Sequence, residues 1–467
     1  MTLDSGPLNP PADSARRSKR GAPRDRVRAA PASRPSAGSQ RTRLIAAMVE
    51  LSAKSGYQQV SILELCATAG VSAASFYEQF ADKEDLLAAA YRACSDELLA
   101  GVRPAVARAD ASLLPRLALE ALLEWVARNP AAGRVWFVEA LAGGERMRVE
   151  RKRSFASFER RAERFEQRTR QDAGVLDIPA IAVMGALRNM ISRHLHAQAE
   201  DQLPSRLGDA LAWLQAYARE PASERWSTSH GALAQLPPTR GSAPTESWTP
   251  ERLPSGNHGL PAGLIARHQR TRLINAVAEV TMHKTYAETK IEDIVASARV
   301  AKPVFYRYFK DKEHAFLEAQ QYPTQHILDR CAEAYYSARE WPERMWRMLD
   351  ALTDLIIANP AISHLRLVEC YAAGPEAIRR AEEITRSFTI FLEEGYHHST
   401  TASQLPRLCS QAITGAIFEI IRRHVAQNAP HAPKEHLPQL TYIAIAPFTG
   451  TEQAIGLVEE MKARQRT

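Results

Sequence analysis

The chain carries an internal repeat long enough to decide its architecture. The segment QRTRLI at residues 40–45 recurs at residues 269–274, and 19 of the 48 positions from residue 40 to residue 87 are identical in the second copy. When the offset between the copies is increased by one residue, Asn129-Pro130 matches Asn359-Pro360 and Gly185-Ala186 matches Gly415-Ala416. A period of about 230 residues far exceeds the roughly 20 to 50 residues of stacked solenoid repeats. The chain is therefore a duplication of one multi-helix unit, and its two halves should share one fold.

The repeated unit reads as helical throughout. Leu44, Ile45, Met48 and Leu51 follow helical spacing and predict a first helix over residues 40–55. Ser61 and Ser72 can cap two short helices on either side of Gly70, and Asp82 can cap a long fourth helix. Asp311 takes the place of Asp82 in the second copy. Because no stretch alternates polar and apolar residues for long, the whole chain is predicted to be all-α.

Composition and charge indicate a folded chain with a basic arm. Apolar residues make up 45% and charged residues 24% of the sequence, as in ordinary globular proteins. Residues 1–43 hold ten Lys/Arg against three Asp, so this segment alone accounts for the net charge of +7. We predict a disordered arm over residues 1–38, which binds a phosphate backbone or serves only as a solubilising tail. Seven prolines mark residues 219–263 as a linker.

Other classes of protein find no support in the sequence. The five cysteines are widely spaced, which argues against disulfides or a zinc module, and no apolar run is long enough to cross a membrane. No phosphate-binding glycine loop and no hydrolase or metalloprotease motif occurs. We therefore expect a cytoplasmic protein that is no enzyme and has no cofactor, metal site or membrane contact.

The repeated block resembles a known family. It runs from Arg41 through Gly70-Val71-Ser72 to Phe76-Tyr77, Phe80 and Asp82-Lys83-Glu84, and its second copy contains the run VAKPVFYRYFKDKE at residues 300–313. Both resemble the DNA-binding domain of TetR-family transcriptional regulators. The resemblance implies two tandem units, each with a three-helix domain containing a helix-turn-helix and a larger helical domain for ligand binding and dimerisation. The predicted divisions are 39–98 and 99–218 for the first unit, and 264–324 and 325–467 for the second.

The resemblance also implies the DNA contacts. Tyr77 and Tyr306 should bond phosphate oxygens, and Lys83 and Lys312 should add charge at the same backbone. Bases would be read by exposed side chains of the third helix: Ser72, Ala73 and Ser75 in the first copy, Lys302, Pro303 and Val304 in the second. The second copy also has Arg307, Tyr308 and Lys310 where the first has Glu78, Gln79 and Ala81. The first copy should therefore bind DNA more weakly.

Candidate ligand-binding residues lie between the DNA-binding block and the last helices. They are Trp125, Trp136, Phe137 and Glu139 in the first copy and Leu355, Arg366 and Glu369 in the second. A buried carboxylate in an apolar cavity could recognise a cation, although aromatic residues at helical spacing are usually core. Arg193-His194 and Arg423-His424 occupy matching places and are interpreted as interface residues.

These observations favour a sequence-specific transcriptional regulator, expected to be a repressor released by a small-molecule effector. Its partners would be a double-stranded DNA operator and that effector. The alternative is an adaptor for ligands or proteins, in which the first helix-turn-helix no longer reads DNA. The two halves could pair within one chain as a covalent pseudo-dimer, or like halves could pair between two chains as a homodimer, because a linker of this length permits both.

Overall fold

The computed structural model describes residues 37–107, 110, 113–169, 175–219, 226, 260–427 and 432–465. All but the last two residues of the predicted arm, and nearly all of the predicted linker, lie outside this part of the chain. Within it the fold is all-α, as predicted, apart from one small pair of strands.

The first half begins with three helices in the DNA-binding block and continues with six more. These helices are α1 (Ala37–Ser55), α2 (Ile62–Ala69), α3 (Ala73–Gln79), α4 (Lys83–Val106), α5 (Leu114–Arg128), α6 (Pro130–Phe137), α7 (Glu145–Thr169), α8 (Ala180–His196) and α9 (Leu207–Gln215). The two-residue strands β1 (Val175–Leu176) and β2 (Ala218–Arg219) pair antiparallel. Short 3-10 helices lie at Tyr57–Gln59, Glu139–Leu141 and Glu200–Arg206.

The second half repeats this order and extends it. Its helices are α10 (Ala262–His283), α11 (Ile291–Ala298), α12 (Lys302–Tyr308), α13 (Lys312–Gln321), α14 (Thr324–Tyr336), α15 (Trp341–Ala358), α16 (Pro360–Leu367), α17 (Pro375–Ser387), α18 (Leu408–Ala426), α19 (Ala432–Glu435), α20 (Leu437–Thr449) and α21 (Thr451–Gln465). Short 3-10 helices lie at Glu369–Tyr371, Phe388–His397 and Ala402–Gln404.

The helix starts predicted from the sequence are confirmed by their capping bonds. The side chains of Ser61, Ser72 and Asp82 each accept the backbone N–H three residues on, at 3.2, 3.1 and 2.7 Å. Asp311 does the same at 2.7 Å in the second half. These side chains satisfy backbone donors that have no partner inside the helix. The first helix begins three residues earlier than predicted, at Ala37.

The repeated Asn-Pro pair forms the same turn in both halves. The side-chain amides of Asn129 and Asn359 donate to the carbonyl oxygens of Trp125 and Leu355, four residues back, at 3.0 and 3.1 Å. Each asparagine thus closes one helix, and the proline after it opens the next, where its missing N–H would have had no partner. The sequence match therefore extends to backbone conformation.

The predicted domain boundary at residue 98 falls inside helix α4, which runs without a break from Lys83 to Val106. A single helix therefore joins the first head to its regulatory domain, where a head means the three helices of a DNA-binding block, α1 to α3 in the first half and α10 to α12 in the second. In the second half this long helix is divided in two, because α13 ends at Gln321 and α14 begins at Thr324, on either side of Tyr322-Pro323. Proline lacks the N–H that would continue the helix.

The two halves pack against each other through α8 and α18, which cross at the paired glycines. A Cβ on Gly185 would lie 2.7 Å from the carbonyl oxygen of Gly415 and 2.4 Å from the Cβ of Glu419. A Cβ on Gly415 would lie 3.0 Å from the carbonyl oxygen of Gly185 and 2.7 Å from the Cβ of Asn189. Contacts that are reciprocal between equivalent positions are typical of a two-fold axis. The two halves therefore meet at equivalent positions of the repeat.

The halves also share their hydrophobic core. Trp213 and Tyr217 of the first half are buried with residues of α15, α18 and α20 of the second. The Tyr217 hydroxyl donates to the carbonyl oxygen of Ile443 at 2.8 Å. Because these side chains would be exposed if the halves separated, the regulatory domains form one packed body.

The C-terminal caps of α2 and α11 generate a stability prediction. Gly70 and Arg299 hold equivalent places after these helices, with φ values of 60° and 50°. A side chain in the left-handed region carries a penalty of about 1 kcal/mol that glycine escapes. We expect Arg299→Gly to raise the free energy of unfolding by about 1 kcal/mol, measured by chemical denaturation.

Two variants serve as controls for this substitution. Arg299→Ala keeps the penalty and should leave stability nearly unchanged, whereas Gly70→Arg should lower it. An equal gain for the glycine and alanine variants at position 299 would show that the arginine side chain, and not its backbone, is unfavourable.

Candidate nucleic-acid interface

The exposed faces of α3 and α12 form the candidate DNA-binding surface. Each helix is held by two phenylalanines with almost no exposed surface, Phe76 and Phe80 in the first half and Phe305 and Phe309 in the second. This anchoring leaves Tyr77 60% exposed and Tyr306 51% exposed, with each ring edge-on to the preceding phenylalanine. Both phenol groups lie where a DNA backbone could reach them.

The predicted base-reading residues of α3 have few side-chain groups left to bond DNA bases. Ser72 and Ala73 are exposed, and Ser75 is half-buried. The Ser72 hydroxyl caps the helix by accepting the Ser75 N–H at 3.1 Å, and it also bonds the Ser75 hydroxyl. Base contacts by this helix would therefore rest mainly on small side chains.

The corresponding residues of α12 include a charged side chain that could contact DNA. Lys302 and Pro303 are exposed, whereas Val304 is half-buried and packs against the core. The Lys302 ammonium lies 2.5 Å from the Glu292 carboxylate, on the exposed side of α11. Exposed ion pairs of this kind contribute little stability, so DNA can compete for the lysine.

Charge distinguishes the two heads more sharply than any single contact. Arg307 and Lys310 are exposed on the second head, where the first has Glu78 and Ala81. At the start of the following helix the second head has His314, and the first has Asp85, whose carboxylate accepts the Ala81 N–H at 3.2 Å. The second head is therefore the more favourable for a phosphate backbone.

Lys83 and Lys312, predicted as phosphate contacts, bond the turn before the second helix of each head. The Lys83 ammonium donates to the carbonyl oxygens of Tyr57, Gln58 and Val60 at 3.2, 3.3 and 2.9 Å. Lys312 donates to the Tyr286 carbonyl at 2.7 Å. Burial lowers the pKa of both ammonium groups. Their phosphate contacts stay a prediction, and these bonds to backbone carbonyls are ones that the sequence pattern does not show.

Two arginines of the repeated QRTRLI segment have a structural role that the sequence reasoning missed. Arg43 donates to the Gly70 carbonyl at 3.4 Å, and its equivalent Arg272 donates to the Ala298 carbonyl. Both carbonyls lie at helix C-termini, where a cation is favourable. The exact repetition of this segment was the signal that could have revealed them.

The aromatic residues proposed for a ligand site are part of the first half's core. Trp136 stacks on Tyr91 with a centroid distance of 5.9 Å, and its indole N–H donates to the Ser95 hydroxyl at 2.7 Å. Phe137 packs edge-on to Trp136, and Trp125 is buried in the same cluster. Their burial is explained by packing alone.

Glu139 and Glu369 join the regulatory domains to the heads. The Glu139 carboxylate accepts the Tyr57 N–H at 2.8 Å, and the Glu369 carboxylate accepts the Tyr286 N–H at 2.7 Å. Both tyrosines begin the turn that follows the first helix of a head. Burial raises the pKa of both carboxyl groups, although the tyrosine N–H groups act in the opposite direction. Neither glutamate is placed to recognise a cationic ligand; each carries a contact between domains.

Arg366, one of the candidate ligand-binding residues, lines an apolar cavity of the second half. The cavity walls include Ile327, Leu352, Leu355, Ile384, Phe388 and Phe418. Arg366 is 8% exposed and donates to the Gln320 carbonyl at 2.6 Å and the Thr324 hydroxyl at 3.0 Å. Burial lowers its pKa to about 10, and both of these acceptors are uncharged. The cavity thus contains a buried cation that is hydrogen-bonded to neutral groups.

Other chemistry has no visible basis in the described part of the chain. No group of three or more His, Cys, Asp or Glu side chains is placed there to hold a metal ion. The five cysteines are free and buried. Among the described residues, no helix is both long and apolar enough to span a bilayer.

Comparison with known proteins gives consistent matches. The family model for bacterial regulatory proteins of the tetR family matches residues 44–90 and again residues 273–319. The HTH-type transcriptional activator FasR of Mycolicibacterium smegmatis is 20% identical over 182 residues, which cover 39% of this chain and 72% of that protein.

Two solved structures show distant likenesses to one part of the chain. The fatty acid degradation regulator FadR of Bacillus halodurans is 17% identical, with a TM-score of 0.36, over 38% of this chain and 94% of that one. FadR of Bacillus subtilis, solved with stearoyl-CoA, is 16% identical, with a TM-score of 0.35, over 38% of this chain and 97% of that one. Structural similarities with such low TM-scores carry no argument about function.

Two helix-turn-helix heads, each joined to a helical regulatory domain, define a DNA-binding transcriptional regulator. The chain carries two copies of a segment that matches the DNA-binding domain of bacterial regulatory proteins of the tetR family, one in each half.

The contact between Glu369 and Tyr286 can be tested directly. Glu369→Ala leaves the Tyr286 N–H without its acceptor, which should lower the free energy of unfolding by about 1 to 3 kcal/mol. Glu369→Gln retains an acceptor oxygen and should lose much less. Chemical denaturation of both variants and of the equivalent Glu139 pair measures the effect, and equal losses for alanine and glutamine would contradict the assigned bond.

Proposed function

We propose that this chain is a ligand-responsive transcriptional repressor that pairs its halves as a covalent pseudo-dimer and binds its operator mainly through the second head. The observation that carries the proposal is the unequal charge of two otherwise equivalent recognition surfaces.

The second head is the stronger candidate for reading DNA. Arg307 and Lys310 are exposed beside Tyr306, whereas Glu78 lies beside Tyr77 in the first head. Each phosphate neutralised by a cation releases counterions and adds affinity, while a carboxylate near the backbone repels it. The first head would then bind DNA weakly, as an addition to the second.

The pseudo-dimer is supported by the reciprocal glycine contacts of α8 and α18 and by the shared core. A pair of heads related by a two-fold axis suits successive major grooves, which lie about 34 to 36 Å apart. In this arrangement both heads engage one face of a pseudo-palindromic operator. A single chain would then do what two chains do in a homodimer.

The effector proposed for this regulator is an amphipathic anion. The cavity of the second half combines apolar walls with the buried Arg366 and with Arg188 and Arg422. A buried cation without a carboxylate is unfavourable until an anion joins it. A carboxylate with a short alkyl chain, small enough for a cavity of about 60 Å³, would satisfy both features, so we propose an anion where the sequence suggested a cation.

Arg366 also offers a route from the cavity to the second head. Its guanidinium bridges the break between α13 and α14 by bonding the Gln320 carbonyl and the Thr324 hydroxyl. Helix α13 begins at Lys312, which bonds Tyr286 in the head. An anion that competes for Arg366 would release this bridge, shift α13 and change the position of α12. Different affinities for the two positions are what a ligand needs in order to regulate.

DNA binding by the second head is tested by exchanging the charges of the two heads. Arg307→Glu should weaken binding to a fragment from upstream of the gene at least tenfold and reduce the slope of log affinity against log salt by about 1. Glu78→Arg should strengthen binding. Fluorescence anisotropy at two salt concentrations measures both quantities.

A tyrosine pair and a distant charge reversal serve as controls. Tyr306→Phe, which removes only the hydroxyl, should weaken binding more than Tyr77→Phe, and Arg330→Glu on α14 should have little effect. Equal losses for the two tyrosine variants would show that both heads read DNA equally. If the wild type shows no specific DNA binding, the result would favour the adaptor. Ala73 and Glu78 of the first head mildly support that alternative.

The effector class is tested with three probes of equal, short chain length: butyrate, butanol and butyltrimethylammonium. Butyrate should raise the melting temperature and release the upstream fragment, and Arg366→Met should reduce its effect at least tenfold in concentration. A stronger response to the cationic probe would refute the anionic assignment. A promoter fusion to a reporter then gives the direction of control, since repression predicts higher expression when the chain is deleted.

A further inference from the structure

A cluster of buried charges crosses the interface between α8 and α18. Glu419 of the second half is 1% exposed, and the Arg188 Nε atom of the first half lies 3.2 Å from its carboxylate. Arg422, on the same helix as Glu419, bonds this carboxylate through two nitrogens, and Arg151 of the first half lies 4.0 Å away. Burial alone would raise the pKa of Glu419, but Arg422 and Arg188 outweigh it and lower the pKa to about 2.

A second polar contact joins the halves beside this cluster. The Ser192 hydroxyl and the His196 ring of α8 bond the two carboxylate oxygens of Glu382 on α17, at 2.9 and 3.1 Å. Arg188 also donates to the Tyr371 hydroxyl at 3.3 Å. The arginines that bridge the halves therefore come largely from the first, and the carboxylates from the second.

These positions are not equivalent in the two halves. In the register that pairs Gly185 with Gly415, the first-half residues Arg151, Lys152, Arg188, Asn189, Ser192 and His196 correspond to Ala381, Glu382, Phe418, Glu419, Arg422 and Ala426. The glycines at the crossing are the same in both halves, whereas the charges around them are complementary. The interface is thus symmetric in shape and asymmetric in charge.

Pairing of like halves would leave these charges unbalanced. Two first halves would bring four arginines, from positions 151 and 188, to an interface with no carboxylate at the corresponding positions. Two second halves would bring four carboxylates, from positions 382 and 419, to two arginines from position 422. The pairing of unlike halves places three arginines with two carboxylates and His196, and a buried charge without a partner is strongly destabilising.

We propose that this charge cluster selects the second half of the same chain as the partner of the first and prevents the pairing of like halves between chains. The inference rests on the proposed pairing within one chain and adds what enforces it. The charges provide the specificity, because a like half would lack the oppositely charged groups at these positions. The shape of the crossing alone would accept either half. The covalent connection between Arg219 and Leu260 raises the effective concentration of the correct partner.

A double-mutant cycle on the full chain tests whether Arg188 and Glu419 meet. Arg188→Gln and Glu419→Gln should each lower the melting temperature by several degrees, and the double variant should lose clearly less than the sum of the two. Substitutions of two residues that interact have non-additive effects on stability, whereas substitutions of residues in separate interfaces have additive effects. The exposed pair Arg128→Gln and Glu124→Gln on α5 is the matched control and should change the melting temperature very little.

Sedimentation of the wild type at increasing concentration supplies the second measurement. We expect the mass of one chain throughout, together with a non-additive cycle. Additive losses, or a wild-type mass of two chains, would overturn the inference. If a variant fails to fold, the wild-type mass decides. Because neither readout involves DNA, failure here is distinguishable from failure of the proposed operator binding.

Discussion

The structure depends on the close approach of α8 and α18 at Gly185 and Gly415. Each glycine faces the backbone of the other, so a Cβ on either one would collide with backbone or side-chain atoms of the opposite helix. At this distance the helices bury the surrounding charges and bring Trp213 and Tyr217 into the core of the other half. The crossing fixes how one regulatory domain lies on the other.

The internal repeat allows a comparison that a single unit would not. Contacts that hold a head together or attach it to its regulatory domain occur in both halves with similar geometry, including those of Lys83 and Lys312 and those of Glu139 and Glu369. The exposed side chains of α3 and α12 differ in size and charge. The halves are thus alike where the chain folds and different where it would meet DNA, which is the pattern expected when one framework is kept for two unequal tasks.

Features encoded in neighbouring residues could be predicted from the sequence, and features made by distant ones could not. Ser61, Ser72 and Asp82 act within one helical turn, so their capping roles follow from local chemistry. The direction of the Lys83 side chain depends on carbonyls of a turn more than twenty residues away, and the bond between Glu139 and Tyr57 spans 82 residues. The pair Arg188 and Glu419 lies 231 residues apart in sequence, where no spacing rule applies.

The two asymmetries of the chain support each other. The apolar cavity with Arg366 lies in the same half as the head that carries Arg307 and Lys310, so an effector bound there would lie in the half whose head is proposed to bind the operator. Arg188 of the first half and Arg422 of the second belong both to the cavity wall and to the charge cluster at the crossing. An anion that entered the cavity would therefore draw on the same positive charges that hold Glu419. Effector binding and pairing of the halves would then be energetically linked.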